Sequence, residues 1–414
     1  MEKIKNNIKE ILKYGSPIYV YDFDIINDRC INMYKFKEKL ENKLKIDVNM
    51  HYSTKANNNP NILRIVKDNN LSVDAMSLYE LHINKKIGFK SSKILYVCNN
   101  IDEEEMKEVY KNNVLICLDS ISQVEMWGKL FPNTNIMIRI NPGVLGVGHS
   151  KKVITSGKDT KFGIIRDDFD SLFETVKKYN LKIVGVHEHL GSLFLDDKID
   201  DYINGVRTFL EIVDEYFKDI SIIDLGGGFG VPYKELESDL DLEKLSDKLI
   251  DVLLPFVNKH QSIKEFKFEP GRYIPCEGGY LIGRVNSIKK LDDIYWIGTD
   301  IGMNQLVRPS MYDAYHNIEV LNESSDKIIA NICGNICESG DILGKKRLIN
   351  KPKVGDNIIV YNAGAYGYSM ASNYTGRLRP AEVMIRDGKV FLIRKRETIE
   401  DLDKNIIFER IYKL

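Results

Sequence analysis

Residues 183–192, IVGVHEHLGS, carry the pattern on which the fold turns. A run of Val and Ile ends in a polar, histidine-bearing corner and passes into a helical stretch, as a parallel strand does when it enters a βα turn. Seven further runs repeat the unit: DVNMHYST (47–54), SVDAM (72–76), KILYVC (93–98), VLICLD (114–119), IMIRIN (136–141), SIIDLG (221–226) and EFKFE (265–269). Eight strands alternating with helices across about 225 residues predict a (β/α)8 TIM-like barrel rather than an open doubly wound sheet. The interval 143–163, GVLGVGHSKKVITSGKDTKFG, is glycine-rich and polar and reads as a mobile loop over the barrel mouth.

Beyond about residue 275 the helices drop out. GYLIGRVNSIKKL, DIYWIGT, HNIEVLN, KIIANIC and NIIVYNAG follow one another, and AEVMIRDGKVFLIRKR is a hairpin marked by Asp387-Gly388. The tail is therefore expected to form a C-terminal, mainly antiparallel β-sandwich or barrel. The early strand PIYVYD (17–22) is free to join it. The predicted division is residues 1–30 with the β domain, 31–275 as the barrel and 276–414 as the C-terminal domain.

The bulk properties exclude several classes of function. The 414 residues are 43% hydrophobic and 29% charged with a formal charge of −1, so no single-sign field steers nucleic acid or membrane. The start, MEKIKNNIKEILKYG, lacks the apolar core of a signal peptide, and no run approaches a membrane span. A cytoplasmic protein is expected. Six cysteines scattered through the chain are not a disulfide framework, and reduced thiols are the default.

Catalytic groups of such barrels lie at the C-terminal ends of the strands. There stand Lys55 in HYSTKAN, His187 and His189 in HEHLGS, the glycines of GGGFG (226–230), and Glu269 with Arg272 in EPGR. Each has an ordinary structural reading taken singly. A strand-end lysine is usually a solvated charge, and two histidines at i and i+2 face one side of a strand but have no Cys or Asp partner at metal-ligand spacing. Gly226, Gly228 and Gly230 give G-x-G-x-G, with Val231 where the dinucleotide fingerprint needs glycine. GDILGKK is one residue short of a P-loop.

Together the groups suit one ligand. A glycine turn offers amide donors to a phosphate, an imidazole stacks on a flat ring, a carboxylate holds a ring nitrogen protonated, and a lysine amine bonds an aldehyde carbon. Phosphate, pyridinium and aldehyde together describe pyridoxal 5'-phosphate. No metal is expected. In NICGNICESGD (331–341), Cys337 carries a thiol able to supply a proton at neutral pH. Cys333, at C-x3-C spacing, reads as a small apolar residue.

The motifs YVYD, YSTKAN, RINP, KFG, HLGS, LGGGFG, EPGR, GMNQLVRPSMYDAYH, CESGD and AGAYGYSMASNY occur in order over nearly the whole chain. With them the sequence resembles the diaminopimelate decarboxylases, pyridoxal-phosphate enzymes that pair an alanine-racemase-like barrel with a β domain. CESGD and RPSMYDAYH set it apart from ornithine decarboxylases and alanine racemases, which share only the barrel motifs.

The resemblance implies decarboxylation of meso-2,6-diaminopimelate to L-lysine and CO2, the last step of lysine biosynthesis. Lys55 would bind the cofactor covalently, and His189 would stack on its ring. Ser192, Gly227 and Gly228 would hold the phosphate, Glu269 the ring nitrogen, and Pro270, Gly271 and Arg272 would also bind the cofactor. Arg272, Arg308, Tyr312 and Glu338 would bind substrate, Tyr366 both substrate and cofactor, and Cys337 would be the acid. Cys337 and Glu338 would reach the site of the other subunit of a homodimer.

Two departures bear on the substrate. Leu78 and Tyr79 stand where the family has small residues, which would narrow the mouth near the cofactor, and Gly376 and Leu378 replace Ser and Pro. The rival readings are a related decarboxylase acting on D-ornithine, D-lysine or carboxynorspermidine, a racemase, and a catalytically silent regulatory relative.

Overall fold

The computed structural model describes residues 2–143, 147–148 and 160–408. Most of the 143–163 stretch lies outside the described residues, as does the expectation of a mobile loop there. The chain divides into two compact units, Ile26–Pro275 and Met1–Ile25 with Cys276–Leu414. The division falls inside the helix Phe23–Leu44, five residues before the expected boundary.

In the first unit eight strands close into a barrel: Asp47–Ser53, Ser72–Ala75, Ile94–Val97, Leu115–Leu118, Asn135–Arg139, Lys182–His187, Ile222–Asp224 and Glu265–Phe268. Every neighbouring pair is parallel, and Glu265 opposite Asp47 closes the ring. The strands are shorter than their apolar runs, because each run extends into a βα turn that leaves the sheet. One consequence is a correction: the sixth strand ends at His187, so His189 lies in the turn beyond it and the two histidines do not share a strand face.

The helix Leu78–Ile87 shows how local chemistry sets such an element. The Ser77 hydroxyl accepts the Glu80 N–H, and Gly88 at φ +93 ends the helix in a left-handed turn that disfavours side chains with a Cβ. Leu78 and Tyr79 form its first turn and are 38% and 54% exposed. Between helices and barrel, Phe36 packs edge-on against Phe229 and Phe268 at centroid distances of 5.9 and 5.7 Å, the favoured geometry for aromatic rings.

The second unit holds a nine-stranded mixed sheet that is mainly antiparallel. The strand Ile18–Asp22 lies within it, antiparallel to Gly279–Leu291 and parallel to Ala381–Arg386. All five of its residues are buried, and the helix Glu2–Leu12 covers the sheet with Ile4 and Ile11 against Ile18, Val20, Ile282 and Val383. Asp387 and Gly388, at φ 51 and 72, form the two-residue hairpin between Arg386 and Lys389, the left-handed pair that an Asp-Gly loop favours. No helix among the described residues is long and apolar enough to cross a membrane.

Candidate active site

In the barrel unit, Lys55 sits in a single helical turn, Thr54–Ala56, directly after the first strand. Its Nζ lies 3.7 Å from Asp74 Oδ2. Asp74 ends the second strand region, where its carboxylate accepts the Ser53 hydroxyl at 2.8 Å and the Thr54 N–H at 3.2 Å. Burial pushes Asp74 up to about 7, against the pull of the Lys55 charge. The amine and this carboxyl therefore sit together at the strand ends.

The glycine turn is clamped to the eighth strand. Glu269 N–H donates to the Gly226 carbonyl at 2.7 Å, and a Cβ on Gly227 would stand 2.2 Å from the Glu269 carbonyl oxygen. Gly228, at φ +102, needs the left-handed region that glycine enters freely. The Gly227 N–H donates to His189 Nδ1 at 3.0 Å, so this amide orients the imidazole. Burial lowers His189 to about 3, which keeps it neutral, with its own hydrogen on Nε2.

Arg272, also buried, donates from Nη1 to the Tyr233 hydroxyl at 2.7 Å and from Nη2 to Ser192 Oγ at 3.3 Å. The Pro270 carbonyl accepts the Ser53 N–H at 3.1 Å and that of Gly271 the Ile274 N–H at 3.4 Å, tying the EPGR corner to its surroundings. Glu269 is 4% exposed and Oε2 lies 3.3 Å from His187 Nε2, while Oε1 has no hydrogen-bond partner among the described residues. Burial pushes Glu269 up, but the His187 contact and then the Lys55 charge outweigh it and hold the group below the usual carboxylate range. His187 is itself lowered by burial, so the pair settles as carboxylate and neutral imidazole.

Sequence reasoning assigned no role to Asp74, Tyr233, Asp224 or Arg139, and it left His187 idle. Ligand-type atoms of His187, Asp224 and Glu269 fall within 4.8 Å of one another, although the three residues are separated by tens of positions. Only strand order brings them together: Arg139, His187, Asp224 and Lys267 are register neighbours on four adjacent strands. Burial pushes both Asp224 and Glu188 well above their ordinary values. The signal available in the sequence was a polar residue at each strand end, without its neighbours.

The remaining candidates belong to the β unit. Arg308 is buried and opens the short helix Arg308–Tyr312. The Ser310 hydroxyl donates to the Gly340 carbonyl at 2.6 Å, which joins RPSMY to CESGD. Asp341 organises the loop between: Oδ1 accepts the Met303 N–H at 2.6 Å and Oδ2 the Ile336 N–H at 2.8 Å. A Cβ on Gly334 would meet Asp341 Oδ2 at 2.3 Å.

This loop presents Cys337 and Glu338 on the surface. The Tyr374 hydroxyl donates to Glu338 Oε1, and Arg377 Nη2 donates to the Asn335 carbonyl at 3.1 Å. Gly376 between them adopts φ +69, which gives one departure from the family pattern a backbone reason. Tyr366, at φ 55, lies in a separate turn. Cys333 Sγ stands 3.5 Å from the Ile297 carbonyl, and all six cysteines are free. A cleft of about 580 Å³ runs along Ser310, Gly340 and Arg347.

An amine at the end of the first strand, a glycine turn and a buried carboxylate in one parallel barrel suit a pyridoxal-phosphate-binding enzyme. The family described as pyridoxal-dependent decarboxylase, pyridoxal binding domain, matches residues 31–276. A diaminopimelate decarboxylase of Methanothermobacter thermautotrophicus is 34% identical over 400 residues, covering 94% of this chain and 91% of the relative. The crystal structure of the M. jannaschii diaminopimelate decarboxylase with L-lysine is 32% identical, with a TM-score of 0.87 over 97% of this chain and 94% of that one. For the Helicobacter pylori enzyme, also with L-lysine, the values are 30%, 0.85, 96% and 98%. The chain belongs to the diaminopimelate decarboxylase family.

Proposed function

We propose that this chain decarboxylates meso-2,6-diaminopimelate to L-lysine, with pyridoxal 5'-phosphate held in the barrel. One carboxylate leaves as CO2 and a proton takes its place on the same carbon. The observation that carries the reading is the full-length likeness to diaminopimelate decarboxylases, two of which are described in complex with L-lysine.

The residues fit the cofactor. Glu269 Oε1 is a buried acceptor without a donor among the described residues, as an anion facing a ring N–H would be. A side chain at Gly227 would collide with Glu269, so the turn stays bare backbone. The Lys55 side chain is 39% exposed. Lys55 would hold the aldehyde carbon, neutral His189 would lie against the ring, and Ser192 and Gly228 would face the phosphate. When bound, the cofactor supplies an electron sink for the pair left by the departing CO2.

The chain's own residues do the rest. Ionised Glu269 keeps a proton on the ring nitrogen, and Arg272 and Arg308 offer planar forks that match carboxylates. Tyr312 and Tyr366 line the substrate, Glu338 pairs with its distal amine, and the Cys337 thiol gives its proton to the carbon that has lost CO2. Cys337 and Glu338 act on the site of the other copy in a homodimer.

The direct test is CO2 release from meso-diaminopimelate beside D-ornithine and D-lysine; no release from the first overturns the assignment. The shared site is tested by mixing Lys55→Ala and Cys337→Ala chains, which should regain activity because one hybrid site is intact. Verified heterodimers without recovery would place Cys337 in its own subunit's site.

A further inference from the structure

We propose that His187 is a positioning residue for the reaction: it anchors Glu269 by Oε2 so that Oε1 is the oxygen presented to the cofactor ring. The inference rests on the role given to Glu269 above. A Glu carboxylate turns about a broad, two-fold terminal torsion, so burial alone does not choose which oxygen faces outward. One hydrogen bond does.

His187 supplies it in the right protonation state. The contact is 3.3 Å from Nε2 to Oε2, both side chains are buried, and Oε1 has no partner among the described residues. With Glu269 ionised and the imidazole neutral, the single ring hydrogen belongs on Nε2, where it donates to the carboxylate. The ring is fully buried where His187 ends its strand, in register between Arg139 and Asp224.

The groups around it hold that state. Arg139 on the fifth strand and Lys55 after the first bring positive charge that opposes protonation of His187. Asp119 on the fourth strand lies 3.8 Å from Arg139 and takes up part of that charge. Asp224 on the seventh strand accepts the Gly226 N–H at 2.9 Å, and burial followed by the nearby Glu269 charge raises it, which opposes a second anion beside Glu269. The arrangement is that of an outer partner orienting a working carboxylate.

The test compares His187→Gln with His187→Asn in the cofactor-loaded protein. The glutamine amide nitrogen reaches about as far as imidazole Nε2, whereas that of asparagine stops near Nδ1. The readouts are the pH dependence of the bound cofactor's visible absorbance, cofactor dissociation on dilution, and kcat against KM. We expect the asparagine variant to shift the absorbance profile, loosen the cofactor about tenfold and lower kcat about tenfold with KM little changed. The glutamine variant should stay within about threefold of the parent.

Asparagine and glutamine variants that behave alike, both normal or both impaired, overturn the proposal. If the asparagine variant fails to fold, His187→Phe takes its place as the side chain without a donor, with the same expectation. Glu269→Gln separates the two inferences. A normal Glu269→Gln protein refutes the role of Glu269 itself, whereas an impaired one beside a normal His187→Asn protein refutes only the positioning by His187.

Discussion

The barrel turn around Lys55 and Glu269 and the surface loop around Cys337 and Glu338 hold their candidate residues by opposite means. In the barrel, Asp74, His187 and Glu269 are buried and His189 is half-buried, and their titration is displaced by burial and by one another. In the loop, Cys337 and Glu338 stand on the surface and the buried carboxylate is Asp341, which carries no chemistry and only holds backbone N–H groups. The barrel therefore couples chemistry to stability, while the loop separates them into different residues.

That separation can be broken at four places. The largest effect is expected for Lys55→Ala, which should reduce CO2 release by at least about a thousandfold and abolish the visible cofactor band. A folded protein that retains turnover would remove Lys55 from its role. Cys337→Ala should lower kcat about a hundredfold and leave the melting temperature within about 1 °C, because an exposed side chain contributes little to folding. A marked loss of stability would contradict the division of labour.

Asp341→Ala should do the reverse in part. Two buried N–H groups lose their acceptor, at about 1–3 kcal/mol each, so urea unfolding should shift to lower concentration and kcat should fall as the loop loosens. Unchanged stability would show that Asp341 does not brace the loop.

The smallest effect is electrostatic. Asp74 binds its proton more tightly in the folded chain, up to about 7 from its ordinary 3.8. The folded state thus holds more protons than the unfolded one across that window, and the contribution of Asp74 to stability falls as pH rises through it. Asp74→Asn should flatten this decline between about pH 4 and 7, measured by urea unfolding. An identical slope in parent and variant would locate the pH dependence elsewhere.

The candidate residues differ in how legible they were. Lys55, the glycine turn and EPGR announce themselves because strand-end positions of a barrel are predictable from a period of strand and helix. Asp387-Gly388 likewise predicts its own hairpin, since the backbone demand is local. His187 looked like half of a histidine pair, yet its strand ends under it and its partner is Glu269, more than eighty residues later. Tyr374 and Arg377 gave no hint of bracing the CESGD loop, because a side chain that contacts a distant turn leaves no periodic trace.

The sequence by itself determined the alternation of strands and helices, the change to a β unit, and which residue types stand at the strand ends, because hydrophobic period and turn chemistry are short-range properties. It also carried the family motifs in order. The tertiary structure alone decided which strands flank Ile18–Asp22 in the second sheet, that Asp74 sits beside Lys55, and that His187 and Asp224 flank Glu269. Those arrangements depend on strand order and burial, which bring distant positions together and set how each group ionises.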